Sequence, residues 1–367
     1  MRTVYINGKF TAQRTTGVQR VAARLVQALD AQLTAGPGQW VLLCPPATEA
    51  PALERIAVRD VGLRGLPLHL WEQLVLPAAA HDGLLVNLAG AAPYFAGQQV
   101  CMLHDAAVFD RPSAYARAFV FWYRLLFRRL ARSAAKLLTV SAFSRARLAL
   151  HLGLDPARLA VVPNGCDHLQ DVVPDESVLA RHGLAGTRYL LAVASANPTK
   201  NLAALVGAYA RLPADESRRL VIVGGHNERV FAAGATADPP GVVRTGPLAD
   251  APLKALYRNA VALVFPSTYE GFGLPPLEAM ACGCPVAAAH AAAIPEVCGD
   301  AALYFDPDSV DAIAAALQRL LSDAALRDRL RTAGLARAAL YRWDAAAAVL
   351  RAELQAVCAH DLAQIAA

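Results

Sequence analysis

The chain has 367 residues, 56% hydrophobic and 18% charged, and its 35 Lys plus Arg against 30 Asp plus Glu leave a formal net charge of +5. A composition this apolar excludes intrinsic disorder, the length predicts two packed domains or one large α/β unit, and so small a positive balance does not point to nucleic acid. The run from Met1 to Lys9 lacks the continuous apolar core of a signal peptide, and no apolar run reaches the roughly 18 residues of a membrane span, so a cytoplasmic protein is expected. Seven scattered cysteines read as reduced, mostly buried thiols rather than a disulfide framework.

Short β-branched or aliphatic runs alternate with longer stretches of helical period, the pattern of βα units around a parallel sheet. In the first half strands are expected near Val4–Ile6, Trp40–Cys44, Leu84–Asn87, Val100–His104, Leu137–Val140 and Leu159–Val162, with helices near Val18–Gln32 and Ser113–Ala135 and another from Ser141. The turn chemistry of Pro163-Asn164-Gly165 and Pro174-Asp175-Glu176 marks a boundary between residues 165 and 187. Beyond it strands are expected near Tyr189–Ala194, Arg219–Val223, Val242–Thr245, Ala262–Phe265, Pro285–Ala288 and Ala302–Phe305, and helices near Leu202–Arg211, Leu253–Asn259, Pro276–Ala281 and Val310–Leu321. Tyr341-Arg342-Trp343-Asp344 interrupts two later helical stretches. The division is therefore 1–170, 171–340 and a C-terminal helix 341–367 able to cross back to the first domain.

The most informative stretch runs from Phe265 to Met280. It leaves a strand, passes Gly271 and Gly273, and enters a helix through Pro275 and Pro276, so Glu270 sits on a loop and Glu278 on a helix start. The prolines forbid one continuous helix between the two acids. Glycines let backbone N–H groups approach a ligand, a helix start attracts phosphate, and two carboxylates accept from hydroxyls, which suits a nucleotide sugar. Lys200, in Ser195-Ala196-Asn197-Pro198-Thr199-Lys200-Asn201 between a strand and a helix start, can face a diphosphate and stabilise it as it leaves. Gly224-Gly225 after the Val221–Val223 strand brings backbone close to a base or phosphate, or simply turns. His104 and Asp105 follow a strand at its carboxyl end, where ligands of open α/β sheets gather. Thr16 before Gly17 can cap the first helix.

Metal ligation has little support. Cys282 and Cys284 lack zinc spacing, and Asp306-Pro307-Asp308 reads as a turn and cap, so metal-independent chemistry without a cofactor is expected. Arginines 117, 124, 128, 129, 132, 145 and 147 with Lys136 interleave with Phe119, Phe121, Trp122, Tyr123 and Phe127, a basic aromatic region able to lie on anionic headgroups.

The Phe265–Met280 segment resembles the two-glutamate motif of the retaining glycosyltransferases of GT-B fold in the large family four. Thr245-Gly246, Leu256-Tyr257, Gly283-Cys284-Pro285-Val286 and Ile294-Pro295-Glu296-Val297 match the same family. The resemblance implies two Rossmann-like parallel-sheet domains facing across a cleft, the acceptor held mainly by the first and the nucleotide sugar mainly by the second. It implies that Glu278 holds the ribose hydroxyls, that Glu270 touches the transferred sugar, and that the backbone of Gly271, Phe272, Gly273 and Leu274 binds its hydroxyls and phosphate. Lys200 matches a family lysine, while the basic residue usual near Ser195 is missing, leaving Ser195 and Asn197 as neutral donors beside Gly224. His104 matches the family's active-site histidine, with Asp105 orienting its ring or meeting the acceptor. Thr16-Gly17 resembles a loop that approaches phosphates and acceptor, where many members have two glycines. His104, Glu270 and Lys200 form the expected catalytic set.

The implied activity is transfer of a hexose or deoxyhexose, such as mannose, with retained configuration, from a nucleotide sugar to a glycan or lipid-linked saccharide in surface polysaccharide synthesis. It is expected at the inner face of the membrane if the basic aromatic region docks there. The alternatives are a non-catalytic nucleotide-sugar-binding subunit and a GT-B-shaped epimerase or phosphorylase.

Overall fold

A computed structural model describes residues 3–34, 39–195, 197–224 and 238–365. Ala196 and Gly225 lie outside them. The chain forms two compact units, one of residues 1–106, 121–165 and 343–367 and the other of residues 107–120 and 166–342. Residues 107–120, expected in the first domain, thus belong to the second unit.

The first unit is built on a seven-stranded, wholly parallel sheet of order β3-β2-β1-β4-β5-β6-β7. Its strands are β1 (Val4–Asn7), β2 (Trp40–Cys44), β3 (Ala57–Asp60), β4 (Leu84–Asn87), β5 (Gln99–Met102), β6 (Lys136–Thr139) and β7 (Leu159–Val161). The central strands β1, β4 and β5 are buried at every position, as a parallel sheet covered on both faces requires. The sequence did not reveal β3, because this edge strand is exposed at all four positions and carries no apolar run. Helix Gly17–Gln32 follows β1, and Ala142–Leu152 follows β6 with Ser141 as its N-cap, accepting from Ser144 N. Gly153, at φ +64°, ends that helix in the left-handed turn that glycine adopts without a Cβ clash.

The C-terminal helix Trp343–Ile365 packs in this unit beside helix Gly17–Gln32. Ala346, Ala347, Leu350 and Leu354 form its buried stripe at helical spacing. Arg351 donates to Gln32 O at 2.9 Å, Gln32 Nε2 donates to Asp344 O at 2.6 Å, and Lys136 pairs with Glu353 at 2.9 Å.

The second unit holds a six-stranded parallel sheet of order β10-β9-β8-β11-β12-β13. These strands are β8 (Arg188–Val193), β9 (Arg218–Val223), β10 (Val242–Gly246), β11 (Ala262–Phe265), β12 (Val286–Ala289) and β13 (Ala302–Phe305). Its core includes the fully buried Tyr189, Tyr257, Leu263 and Phe265. In both sheets the chain starts at a central strand, winds outward, then returns to the other side. The reversal falls between β1 and β4 in one sheet and between β8 and β11 in the other, the position where open α/β sheets leave a crevice beyond their carboxyl ends.

Candidate functional site

In the second unit the site grows from the loops that leave β8 and β11. After β8, Asn197 accepts from Thr199 N at 2.9 Å and Thr199 Oγ1 at 3.0 Å, which closes the turn Pro198–Lys200. Asn201, at φ +54°, opens helix Leu202–Ala210 and donates to Pro307 O. Thr268 then docks the β11 loop onto this turn, through its N and Oγ1 to Thr199 O at 2.8 and 3.2 Å. The result brings Lys200 Nζ to 2.6 Å from Glu270 Oε1, in a pair shielded but not sealed from water. Ser195, Lys200 and Glu270, scattered over the sequence, thus lie in the loops beyond the carboxyl ends of the neighbouring strands β8 and β11.

Gly224 ends β9 at φ +148°, and a Cβ there would lie 1.9 Å from Ala194 O, so the protein itself demands glycine at this crossing of strand ends. Gly273, at φ +100°, precedes helix Leu274–Ala281, and the space around its Cβ position is open enough that backbone conformation alone selects glycine. The helix begins two residues before the expected Pro276. Its anion-binding capacity is smaller than expected from a helix start: Pro275 and Pro276 have no amide hydrogen, so only Leu274 and Leu277 carry N–H groups in the first turn. The Phe272 ring is buried edge-on against Tyr341 at 5.6 Å, so this residue offers a ligand its backbone and not its ring.

Glu278 is turned inward. Its side chain is 6% exposed, Tyr257 donates its hydroxyl to Oε2 at 3.1 Å, and Nε2 of the fully buried His168 imidazole lies 3.0 Å from Oε1. Burial first, and the adjacent carboxylate second, push the Tyr257 hydroxyl well above its ordinary pKa, so it stays a protonated donor. His168 lies in a stretch that the sequence presents only as a turn and linker, and no local signal identifies it. Tyr269, beside Glu270, donates to Asp110 at 2.8 Å, another contact absent from sequence reasoning.

The first unit gathers Gly17, Gly90 and His104 beyond the carboxyl ends of β1, β4 and β5. His104 Nε2 lies 2.8 Å from Leu88 O, and since a carbonyl only accepts, Nε2 carries the proton. Burial holds this imidazole below its ordinary pKa, with the Leu88 hydrogen bond offsetting part of the effect. It is therefore neutral near pH 7, with Nδ1 an acceptor. Gly90, at φ +73°, leaves its Cβ position 3.4 Å from the His104 ring and 3.9 Å from Val18. Gly17 has neither a left-handed backbone nor any atom within 4 Å of its Cβ position, so nothing in the protein requires glycine there. Thr16 precedes the helix but does not cap it with its side chain; its hydroxyl bonds Gln19 instead, which corrects the capping reading. Asp105 follows His104, half-buried.

Asp306 accepts from Asp308 N at 3.0 Å in a turn, and the cap of helix Val310–Ser322 is Ser309. Of the basic aromatic region, Phe127 is buried and Lys136 is paired with Glu353, whereas Phe121 is 71% exposed on the same helix, Arg117–Ser133, as the exposed Leu125, Arg128 and Arg132. No helix among the described residues is long and apolar enough to cross a membrane.

Residues 15–169 match the family model for Glycosyltransferase Family 4, and residues 178–337 match that for Glycosyl transferases group 1. The chain is 32% identical over 263 residues to O-antigen chain mannosyltransferase B of Escherichia coli, covering 69% of this chain and 68% of that one. It is 35% identical over 240 residues to the MMP alpha-(1->4)-mannosyltransferase of Mycolicibacterium hassiacum, covering 62% and 56% respectively. Sucrose-phosphate synthase from Thermosynechococcus elongatus superposes with a TM-score of 0.77 at 21% identity, over 98% of this chain and all of that one, a likeness of fold.

Proposed function

Because the chain belongs to the family-four glycosyltransferases of GT-B fold, we propose that it transfers a hexose, mannose in the favoured case, from a nucleotide sugar to a saccharide acceptor with retention of configuration. The observation that carries this reading is the pairing, at the carboxyl edge of β8 and β11, of an ammonium with a loop carboxylate, in a loop that leads straight into the helix bearing the second carboxylate. In the proposed complex Glu278 accepts from the ribose hydroxyls, Lys200 faces the diphosphate, and the Gly271–Leu274 backbone meets the sugar and phosphate. Lys200 would then exchange Glu270 for the diphosphate, stabilising charge as the nucleoside diphosphate leaves and freeing Glu270 for the sugar hydroxyls. His104 is assigned to catalysis, Gly17 to the donor, and Thr16 and Asp105 to the acceptor. The departing phosphate would take the proton of the attacking hydroxyl on the same face, which preserves configuration with no covalent nucleophile. Ser195, Asn197 and Gly224 supply neutral donors and close backbone where related enzymes usually add a second cation, and no metal ion is required.

The names of the matched relatives, both mannosyltransferases and one of an O-antigen chain, support mannose and a surface polysaccharide. The exposed Phe121, Leu125, Arg128 and Arg132 support peripheral docking on an anionic bilayer, where a lipid-linked acceptor would be presented.

The test is a thermal-shift screen of GDP, UDP, dTDP and their sugars, followed by turnover of the best donor with lipid-linked saccharides and NMR of the product anomer. The reading predicts stabilisation by one nucleoside diphosphate, its loss in Glu278→Ala, and an α-linked product from an α-linked donor. An inverted product would overturn retention, and stabilisation unchanged in Glu278→Ala would overturn the ribose assignment.

A further inference from the structure

The buried pair around Glu278 has no part in the activity described so far. We propose that His168 and Tyr257 are positioning residues that hold the Glu278 carboxylate in the one orientation that recognises a ribose diol, and so set selectivity for ribonucleotide donors. The proposal rests on the assignment of Glu278 to the ribose.

Three elements build the arrangement. The turn Asp167–Leu169 carries His168, and Cys166 N anchors its start to Tyr341 O at 3.0 Å. Lys254, on helix Asp250–Asn259, fastens its end by donating to Leu169 O, Gln170 O and Val172 O at 2.6 to 2.8 Å. The same helix carries Tyr257 one turn further on, so a single helix fixes both the backbone beneath His168 and the second carboxylate partner. Glu278 reaches into this corner from helix Leu274–Ala281.

The two partners approach different oxygens, His168 at Oε1 and Tyr257 at Oε2. Tyr257 holds Oε2 by a hydrogen bond while the buried His168 ring is packed with Nε2 3.0 Å from Oε1 outside hydrogen-bond geometry, so the carboxylate is limited in rotation about its last torsion, and its oxygens keep lone pairs for two hydroxyls. A vicinal diol presents two hydroxyls at about the spacing of the carboxylate oxygens. Without the pair, Glu278 would lie in several rotamers and ordering it would cost affinity each time a ribose bound.

The experiment measures, by calorimetry, the affinities of GDP and UDP and of their 2′-deoxy counterparts for the unsubstituted protein, His168→Ala, His168→Gln and Tyr257→Phe. The unsubstituted protein is expected to prefer the ribo form roughly tenfold or more, the size of a hydrogen bond to a charged acceptor. In His168→Ala and Tyr257→Phe the ratio falls to about twofold while affinity for the deoxy ligand is nearly unchanged, and His168→Gln, which keeps a polar side chain packed at Oε1, restores part of it. Tyr257→Phe removes one hydroxyl at constant volume, so it folds even if His168→Ala does not. A merely structural role would lower both affinities together and leave the ratio intact, which overturns the inference. A protein that binds neither nucleotide, or binds ribo and deoxy forms alike before any substitution, fails at the ribose assignment itself, a distinct result.

Discussion

Lys200 Nζ sits 2.6 Å from Glu270 Oε1 and 5.9 Å from the centre of the Phe265 ring, held there by the two hydrogen bonds that Thr268 makes to Thr199 O. In the proposed complex an ammonium in this position would meet the diphosphate already stripped of part of its water, and its carboxylate partner would become available as the ammonium turned to phosphate.

Lys200→Met is therefore expected to lower kcat by about 100-fold or more, the usual cost of removing a donor to developing charge. Lys200→Arg keeps the charge but, with a planar fork in place of a point charge, recovers only part of the rate. Steady-state kinetics with the best donor checks both. A change confined to donor KM in Lys200→Met would place the ammonium on the ground state instead.

Two glycines separate backbone strain from ligand approach. Gly273→Ala forces a left-handed φ on a residue with a Cβ and is expected to lower unfolding stability by about 1–2 kcal/mol. Gly17→Ala meets open space at ordinary φ, so stability stays within about 0.5 kcal/mol while transfer falls as the methyl group enters the ligand's path. Denaturant unfolding read beside turnover distinguishes the two.

The depressed His104 pKa makes an acid-side prediction. As pH falls below about 6.5 the unfolded chain takes up a proton that the folded, partly buried imidazole resists, so this contribution to stability is complete above that pH and is lost as pH drops through the folded value. His104→Gln, which keeps a donor toward Leu88 O and does not titrate, should flatten the slope of unfolding free energy between pH 6.5 and 4.5. An identical slope in the variant would mean that other groups carry it.

Burial pushes the thiols of Cys101, Cys166, Cys284 and Cys298 up to about 12 and those of Cys44 and Cys282 to about 11. Thiolate is the reactive form, so iodoacetamide at pH 7.5 should label the folded protein first at Cys358, with Cys282 next and the others only after unfolding. Peptide mass mapping over a time course reads the order.

Most strands were legible because a parallel strand buried on both faces must be apolar throughout, as Leu84–Asn87 and Ala262–Phe265 nearly are, and because Gly, Pro and Asn separate them. Helix Leu68–Ala79 and strand Ala57–Asp60 escaped notice for the opposite reason. The strand is wholly exposed, and the helix widens into a π turn at Trp71–Val75, breaking the period that sequence reading depends on.

Local chemistry along the chain was enough to determine that two βα sheets form and that Glu270 and Glu278 flank a glycine turn into a proline-started helix, since propensity, turn residues and hydrophobic period act within a few residues. Which groups meet was decided only by tertiary structure. Lys200 finds Glu270 because β8 and β11 are neighbours in the sheet, and His168 and Tyr257 find Glu278 because Lys254 draws the Leu169–Val172 backbone onto the helix that bears Tyr257. Such pairings arise from packing between remote segments, and no spacing along the chain encodes them.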